Sequence, residues 1–132
     1  MEITFLGQAG LFVTCRDGTT ILCDPWFSPA YYASWFPFPA NDHLDVSRFA
    51  SPDYLYVSHL HHDHFDPEFL EEKVAKDTTV LLPDYPVEDL RKELTELGFH
   101  RFVQTKNREP ADLDGIEIAH TGDRSSKVVL VP

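Results

Sequence analysis

The sequence predicts an α/β fold, a mixed sheet with helices on one face, built as a single domain from residues 1–132. Three observations predict it. Short apolar strands come first, and after residue 66 amphipathic helices alternate with further strands. The chain then stops on "KVVLVP", an apolar strand with no turn or capping element behind it. Strands followed by a strand–helix alternation suit a sheet whose early strands pair antiparallel and whose helices cover one side. The uncapped final strand leads us to expect only the N-terminal part of a larger domain, incomplete at its C-terminus.

Taken in order, "EITFL" reads as a strand and "QAG" as a turn. "LFVTCRDGTTILCD" reads as a hairpin turning at Asp17-Gly18, the pair favoured by a two-residue turn. That register sets Cys15 opposite Thr20 and Phe12 opposite Cys23, so the two thiols fall on opposite faces and form no disulfide. "PWFSPAYYASWFPFPAND" carries four prolines and seven aromatic residues. Proline at that density excludes a regular helix or a central strand, leaving a long loop with its own packing. "VSRFA" allows one helical turn, and "YLYVS" is a compact strand.

The period then changes. In "DPEFLEEKVAKD", Asp66 is placed to cap a helix with Pro67 at its first position, and Phe69, Leu70 and Val74 recur at helical spacing. "TTVLLP" is a strand. "PVEDLRKELTELGF" is a second amphipathic helix with Val87, Leu90, Leu94 and Leu97 on one face and Gly98 as its stop. "RFVQT", "GIEIAH" and "KVVLVP" complete the strands.

Composition narrows the function classes. A net charge of −11 opposes extended contact with nucleic acid or an anionic membrane surface, since both require clustered Lys and Arg, and the eleven basic residues here are scattered. No apolar run approaches the roughly 18–20 residues of a membrane span. "MEITFLGQAG" has no basic, apolar leader pattern, so a cytoplasmic location is expected. Two cysteines, read as reduced structural thiols, agree with that setting.

The chemistry concentrates in "SHLHHDHFD", four histidines and two aspartates in nine positions directly after the strand "YLYV". Each buried imidazole needs a polar partner, so four of them in six positions are poorly explained as packing. If His59 and His61 leave the strand in extended geometry, both rings lie on one side. A turn after His62 then returns Asp63 and His64 to the same point. Neutral imidazole and carboxylate are the donors that zinc and iron prefer.

"HLHHDH" resembles the HxHxDH signature of the metallo-β-lactamase-fold superfamily. "ITFLGQAG" is similar to that superfamily's opening strand and turn, and "LCDPWF" to its aspartate-bearing second hairpin. The combination with "DPW" most resembles the metallo-β-lactamase-like part of sugar-nucleotide hydroxylases acting on CMP-sialic acid. The resemblance covers roughly residues 2–120. It implies an αββα sandwich, of which this chain supplies the N-terminal half. It also implies one or two metal ions, zinc or alternatively iron or manganese. His59 and His61 would hold the first ion, and Asp63 and His64 the second. The superfamily's later-strand histidine would be His120, whose ordinary reading is a loop histidine.

Two functions follow from the resemblance. The first is a metal-dependent hydrolase acting on a small-molecule substrate, with a metal-activated water and Asp63 orienting it or accepting its proton. The alternative is a non-hydrolytic module working beside a Rieske-type iron–sulfur centre, or a degenerate fragment that self-associates through an open sheet edge. The chain holds no Cys-x-His pair, so such a centre would lie elsewhere. Asp24 is either a support that fixes an imidazole tautomer or simply an Asp-Pro turn residue. The aromatic loop is either packing or a lid, in which case Trp26, Tyr31, Tyr32 and Trp35 line the substrate entrance. His62 is expected to point away from the metals.

Overall fold

The computed structural model describes residues 1–106, 109–113, 116–121 and 127–131, the last three segments as backbone apart from Glu109. Six strands form one sheet in chain order: β1 (Glu2–Gly7), β2 (Gly10–Thr14), β3 (Thr20–Cys23), β4 (Tyr54–Tyr56), β5 (Thr79–Leu82) and β6 (Arg101–Gln104). Short turns join β1, β2 and β3, which therefore pair antiparallel. From β3 to β6 the pairing is parallel, because each step needs a long crossover. The first crossover is the proline-rich loop with a 3₁₀ turn at Val46–Phe49, and the next two carry α1 (Pro67–Lys73) and α2 (Asp89–Glu96). A separate antiparallel sheet follows, of β7 (Pro110–Leu113), β8 (Ile116–Thr121) and β9 (Lys127–Val131). The strand at β7 was not expected, because "PADL" carries little strand propensity; its pairing with β8 defines it.

Strand register places Phe12, Leu22, Leu55 and Val80 side by side on one face. Phe69 and Leu70 of α1 and Leu90 and Leu94 of α2 pack there in one buried cluster, so both helices cover that face. The opposite face carries a smaller cluster of Val13, Ile21, Tyr56 and Leu81. α1 begins as the sequence predicts: Pro67 follows the cap Asp66, whose carboxylate accepts from the Phe69 amide. α2 also stops as predicted. Gly98, at φ +98°, donates to Thr95 O while Phe99 N reaches Leu94 O, a paired bond pattern that satisfies the terminal carbonyls. The helix is shorter than its apolar pattern suggests, since Val87 lies before it and is 60% exposed.

The hairpin register differs from expectation by one residue. Thr14 pairs with Thr20 and Phe12 with Leu22. The loop has three residues, not two: Gly18 N bonds Cys15 O, Cys15 N bonds Thr19 O, and Gly18 takes φ +96°. This is a type I turn completed by a left-handed glycine, and the Asp17 carboxylate secures it by accepting from Thr19 N. One consequence reverses the reading of the cysteines. Cys15 and Cys23 share a face and both pack against the smaller cluster. They remain free thiols because four positions of strand, about 13 Å, separate them.

Burial, reinforced by the adjacent Asp24 charge, pushes the Cys23 thiol up to about 12. Its thiolate fraction near pH 8 is then about 10⁻⁴, so it should resist alkylation. Native-state treatment with iodoacetamide should modify Cys15 first and Cys23 only on unfolding, as read by peptide mass spectrometry. Equal rates at the two positions would contradict this packing.

Candidate metal centre

β4 delivers the histidine cluster at the end of the sheet where parallel strands leave their ligand-binding crevice. Val57 and Ser58 stay buried, and the chain then turns back on itself. The carbonyl of His61 accepts from both His64 N (2.9 Å) and Phe65 N (2.8 Å). That turn returns Asp63 and His64 toward His59. The ring centroids of His59 and His64 are 4.1 Å apart, and those of His59 and His61 4.6 Å.

The donor atoms form two pairs. His59 Nε2 lies 3.1 Å from His61 Nδ1, and His64 Nε2 lies 3.6 Å from Asp63 Oδ2. Two ligands each about 2.1 Å from a tetrahedral ion stand about 3.4 Å apart, so both spacings suit a shared cation. In donor chemistry and in the spacing of each pair, these residues suit a metal. Convergence of the whole cluster on one point is not observed: among the described residues, no three His, Cys, Asp or Glu groups are gathered as a ready ligand set.

Beneath the pairs lies Asp24, 7% exposed and held at φ +41°. Such a conformation in a non-glycine residue costs about 1–3 kcal/mol and persists where the surroundings impose it. Here the Asp24 amide donates to Tyr56 O, and its Oδ1 accepts from Ser58 N at 2.6 Å. Oδ2 faces the Ser58 hydroxyl at 2.8 Å and His64 Nδ1 at 2.9 Å. Asp24 thus contacts an imidazole of the cluster directly and is more than a turn residue. The hydrogen bond to Asp24 raises the affinity of His64 for a proton above the ordinary imidazole value. His59 is shifted down, first by burial and then by repulsion from His64 and His61, which favours its neutral form.

Three contributors escaped the sequence reading. Gln8, at φ +50° in the β1–β2 turn, directs its amide toward Asp63 Oδ2 at 3.4 Å. Ser58 stands at the head of the motif, and Tyr85 donates its hydroxyl to the Ser58 carbonyl at 2.8 Å. A polar residue within the short turn "GQAG", directly after Gly7, was the available signal for Gln8; nothing local marks Tyr85.

The aromatic loop divides. Trp26 is 3% exposed, with its indole donating to Ser28 O, and packs under the loop against Trp35. Tyr31, Tyr32 and Trp35 are solvent-exposed. Tyr31 stands edge-on to His62 at 5.2 Å, which brings the loop beside the cluster and leaves His62 on the exposed side. Two buried groups anchor the loop. Asn41 donates to Leu6 O and Trp26 O, and Asp66 Oδ2 accepts from the amides of Phe27 and Ser28. His120 lies in β8 opposite Val128, and its side chain falls outside the described residues.

Known proteins resemble the chain in sequence and fold. The chain is 61% identical over 105 residues to a protein of Mycolicibacterium smegmatis provisionally named as a Rieske 2Fe-2S iron-sulfur protein, a match over 80% of this chain and 20% of that one. It is 32% identical over 90 residues to the cytidine monophosphate-N-acetylneuraminic acid hydroxylase of Asterias rubens, covering 66% of this chain and 13% of the other. The chain therefore spans a fifth or less of these relatives. Among solved structures, an isothiocyanate hydrolase from Delia radicum gut bacteria superposes with a TM-score of 0.70 at 20% identity, over 92% of this chain and 48% of its own. CmlA, a diiron beta-hydroxylase from Streptomyces venezuelae, gives a TM-score of 0.63 at 26% identity, over 89% and 23%. The mixed sheet with helices on one face thus matches about half of the isothiocyanate hydrolase chain in fold. Residues 2–128 match the family described as the Beta-lactamase superfamily domain, and the chain belongs to that family.

Proposed function

We propose that this chain is the metal-binding β-lactamase-fold segment of an oxidative system that also uses a Rieske-type [2Fe–2S] centre, and that it acts on a small-molecule substrate. The observation that carries the reading is the 61% identity over 105 residues to a much longer protein bearing the Rieske name. The hydroxylase relative and the fold of the diiron beta-hydroxylase support the same class of chemistry. The cluster itself must be held by other residues. A Rieske centre needs two cysteines and two histidines, whereas Cys15 and Cys23 sit about 13 Å apart and Cys23 is held as a thiol.

In this reading His59 with His61, and Asp63 with His64, hold one or two ions. Imidazole and carboxylate suit iron and zinc alike. A bound ion supplies Lewis-acid polarisation and, where it is iron, one-electron chemistry. The chain's own groups do the rest. Asp24 and Ser58 hold the ring orientations, and Gln8 steadies Asp63. Tyr31, Tyr32 and Trp35 offer exposed ring faces beside the cluster for a small molecule, with Trp26 bracing them from below.

Protein purified from its native source should carry the reduced Rieske signal in electron paramagnetic resonance, in the same polypeptide or complex as this segment. The 132-residue chain alone should not turn over ester, lactam or phosphodiester substrates above background. Metal-dependent hydrolysis by a verified monomer of this chain would overturn the reading. That outcome would favour the hydrolase alternative, which the TM-score of 0.70 to an isothiocyanate hydrolase supports.

A further inference from the structure

Ser58 is 4% exposed and has no place among the metal donors, yet its hydroxyl touches Asp24 and one histidine of each donor pair. Its Oγ lies 2.8 Å from Asp24 Oδ2, 2.9 Å from His59 Nδ1 and 3.1 Å from His64 Nδ1. Proton counting resolves who donates. An ionised carboxylate only accepts, a hydroxyl has one proton, and each neutral ring has one N–H. Asp24 Oδ1 takes the Ser58 amide. Its Oδ2 takes the Ser58 hydroxyl proton and, at 2.9 Å, the His64 Nδ1 proton. Having given its only proton to Asp24, Ser58 can only accept from His59. His59 must then carry its hydrogen on Nδ1.

We infer that Ser58 is a positioning residue: it relays the Asp24 carboxylate to His59, locking that ring as the Nδ1–H tautomer with Nε2 free to face His61. Asp24 does the same for His64 directly, freeing its Nε2 to face Asp63. One carboxylate thereby sets an imidazole in each donor pair, and Ser58 extends its reach to the second. In the opposite tautomer, His59 would place a hydrogen on the nitrogen that faces His61. The nitrogen of the pair would then be blocked as a donor to a cation.

The ring assignment is independent of the metal reading; only the consequence for affinity rests on it. The test uses the full chain, stripped by a chelator and labelled with ¹⁵N-histidine, and long-range ¹H–¹⁵N correlation spectra near neutral pH. Wild-type His59 is expected as Nδ1–H. Ser58→Ala should shift it to the Nε2–H form or a mixture, and Ser58→Thr, which keeps the hydroxyl, should restore it. Zinc titration should show a loss of about 10–100-fold in affinity for the Ala variant and little for Thr. A wild-type His59 protonated on Nε2, or a tautomer unmoved by Ser58→Ala, overturns the inference. If the Ala variant fails to fold, the wild-type spectrum decides alone. A chain that binds no zinc but shows the expected shift upholds the relay and defeats the metal reading instead.

Discussion

Replacing His59 and His61 together by alanine is expected to abolish stoichiometric metal binding while the fold survives. These two rings supply one donor pair, with Nε2 and Nδ1 at 3.1 Å. Without them only Asp63 and His64 of the cluster remain among the described side chains, and two donors do not make the three- or four-ligand shell that zinc sites use. The loss should exceed the roughly 100-fold that removing a mere supporting residue costs. Neither ring belongs to the buried apolar clusters, so circular dichroism and the unfolding midpoint should change little. His62→Ala is the internal control, because His62 is exposed and lies against Tyr31, outside both donor pairs. Elemental analysis of purified protein provides the measurement. Wild-type metal content in the double variant would defeat the ligand assignment.

The second large effect belongs to stability. Asp66, 2% exposed, accepts three backbone amides: Phe69 N on Oδ1, and Phe27 N and Ser28 N on Oδ2. The first bond caps α1; the other two pin the aromatic loop to the start of the same helix. Losing the cap costs about 0.5–2 kcal/mol. Each further amide left buried without a partner adds about 1–3 kcal/mol. With some relaxation, Asp66→Ala should destabilise the chain by about 3–5 kcal/mol, a large share of a typical domain's stability of about 5–15 kcal/mol. Asp66→Asn keeps one accepting oxygen but turns a donor toward the amides on the other side, so it should fall between wild type and Ala. Urea unfolding measures both. A change below about 1 kcal/mol for the Ala variant would show that the loop is not held this way. Limited proteolysis should also cut the Asp66→Ala chain first within residues 25–41.

The two expected results separate two kinds of information. The helix cap at Asp66 was legible, since a cap, a proline at the first helical position and apolar spacing are all local signals. That the same carboxylate also anchors residues 27 and 28 was not, because those partners lie 38 and 39 positions away. The hairpin failed for a different reason. Asp17-Gly18 fits a two-residue turn and also a three-residue turn ending in a left-handed glycine, and the pair alone does not choose. Burial chooses: the observed register puts Phe12 beside Leu22 on the helix-covered face. A slip of one residue would have sent that side chain to the other face.

By itself the sequence determined the order and type of most elements, the capped start of α1, the glycine stop of α2 and the concentration of metal donors in "SHLHHDHFD". Each of these is a short-range property, set by periodicity, backbone freedom or the chemistry of neighbouring residues. Only the tertiary structure decided the hairpin register, the shared face of Cys15 and Cys23, the spacing within each donor pair, the contact of Asp24 with His64 rather than a turn role alone, and the links from Gln8 and Tyr85 to the cluster. Those depend on parallel strands aligning distant segments and on buried polar groups finding partners. Such partnerships are set by geometry across the sheet, which no local stretch of sequence encodes.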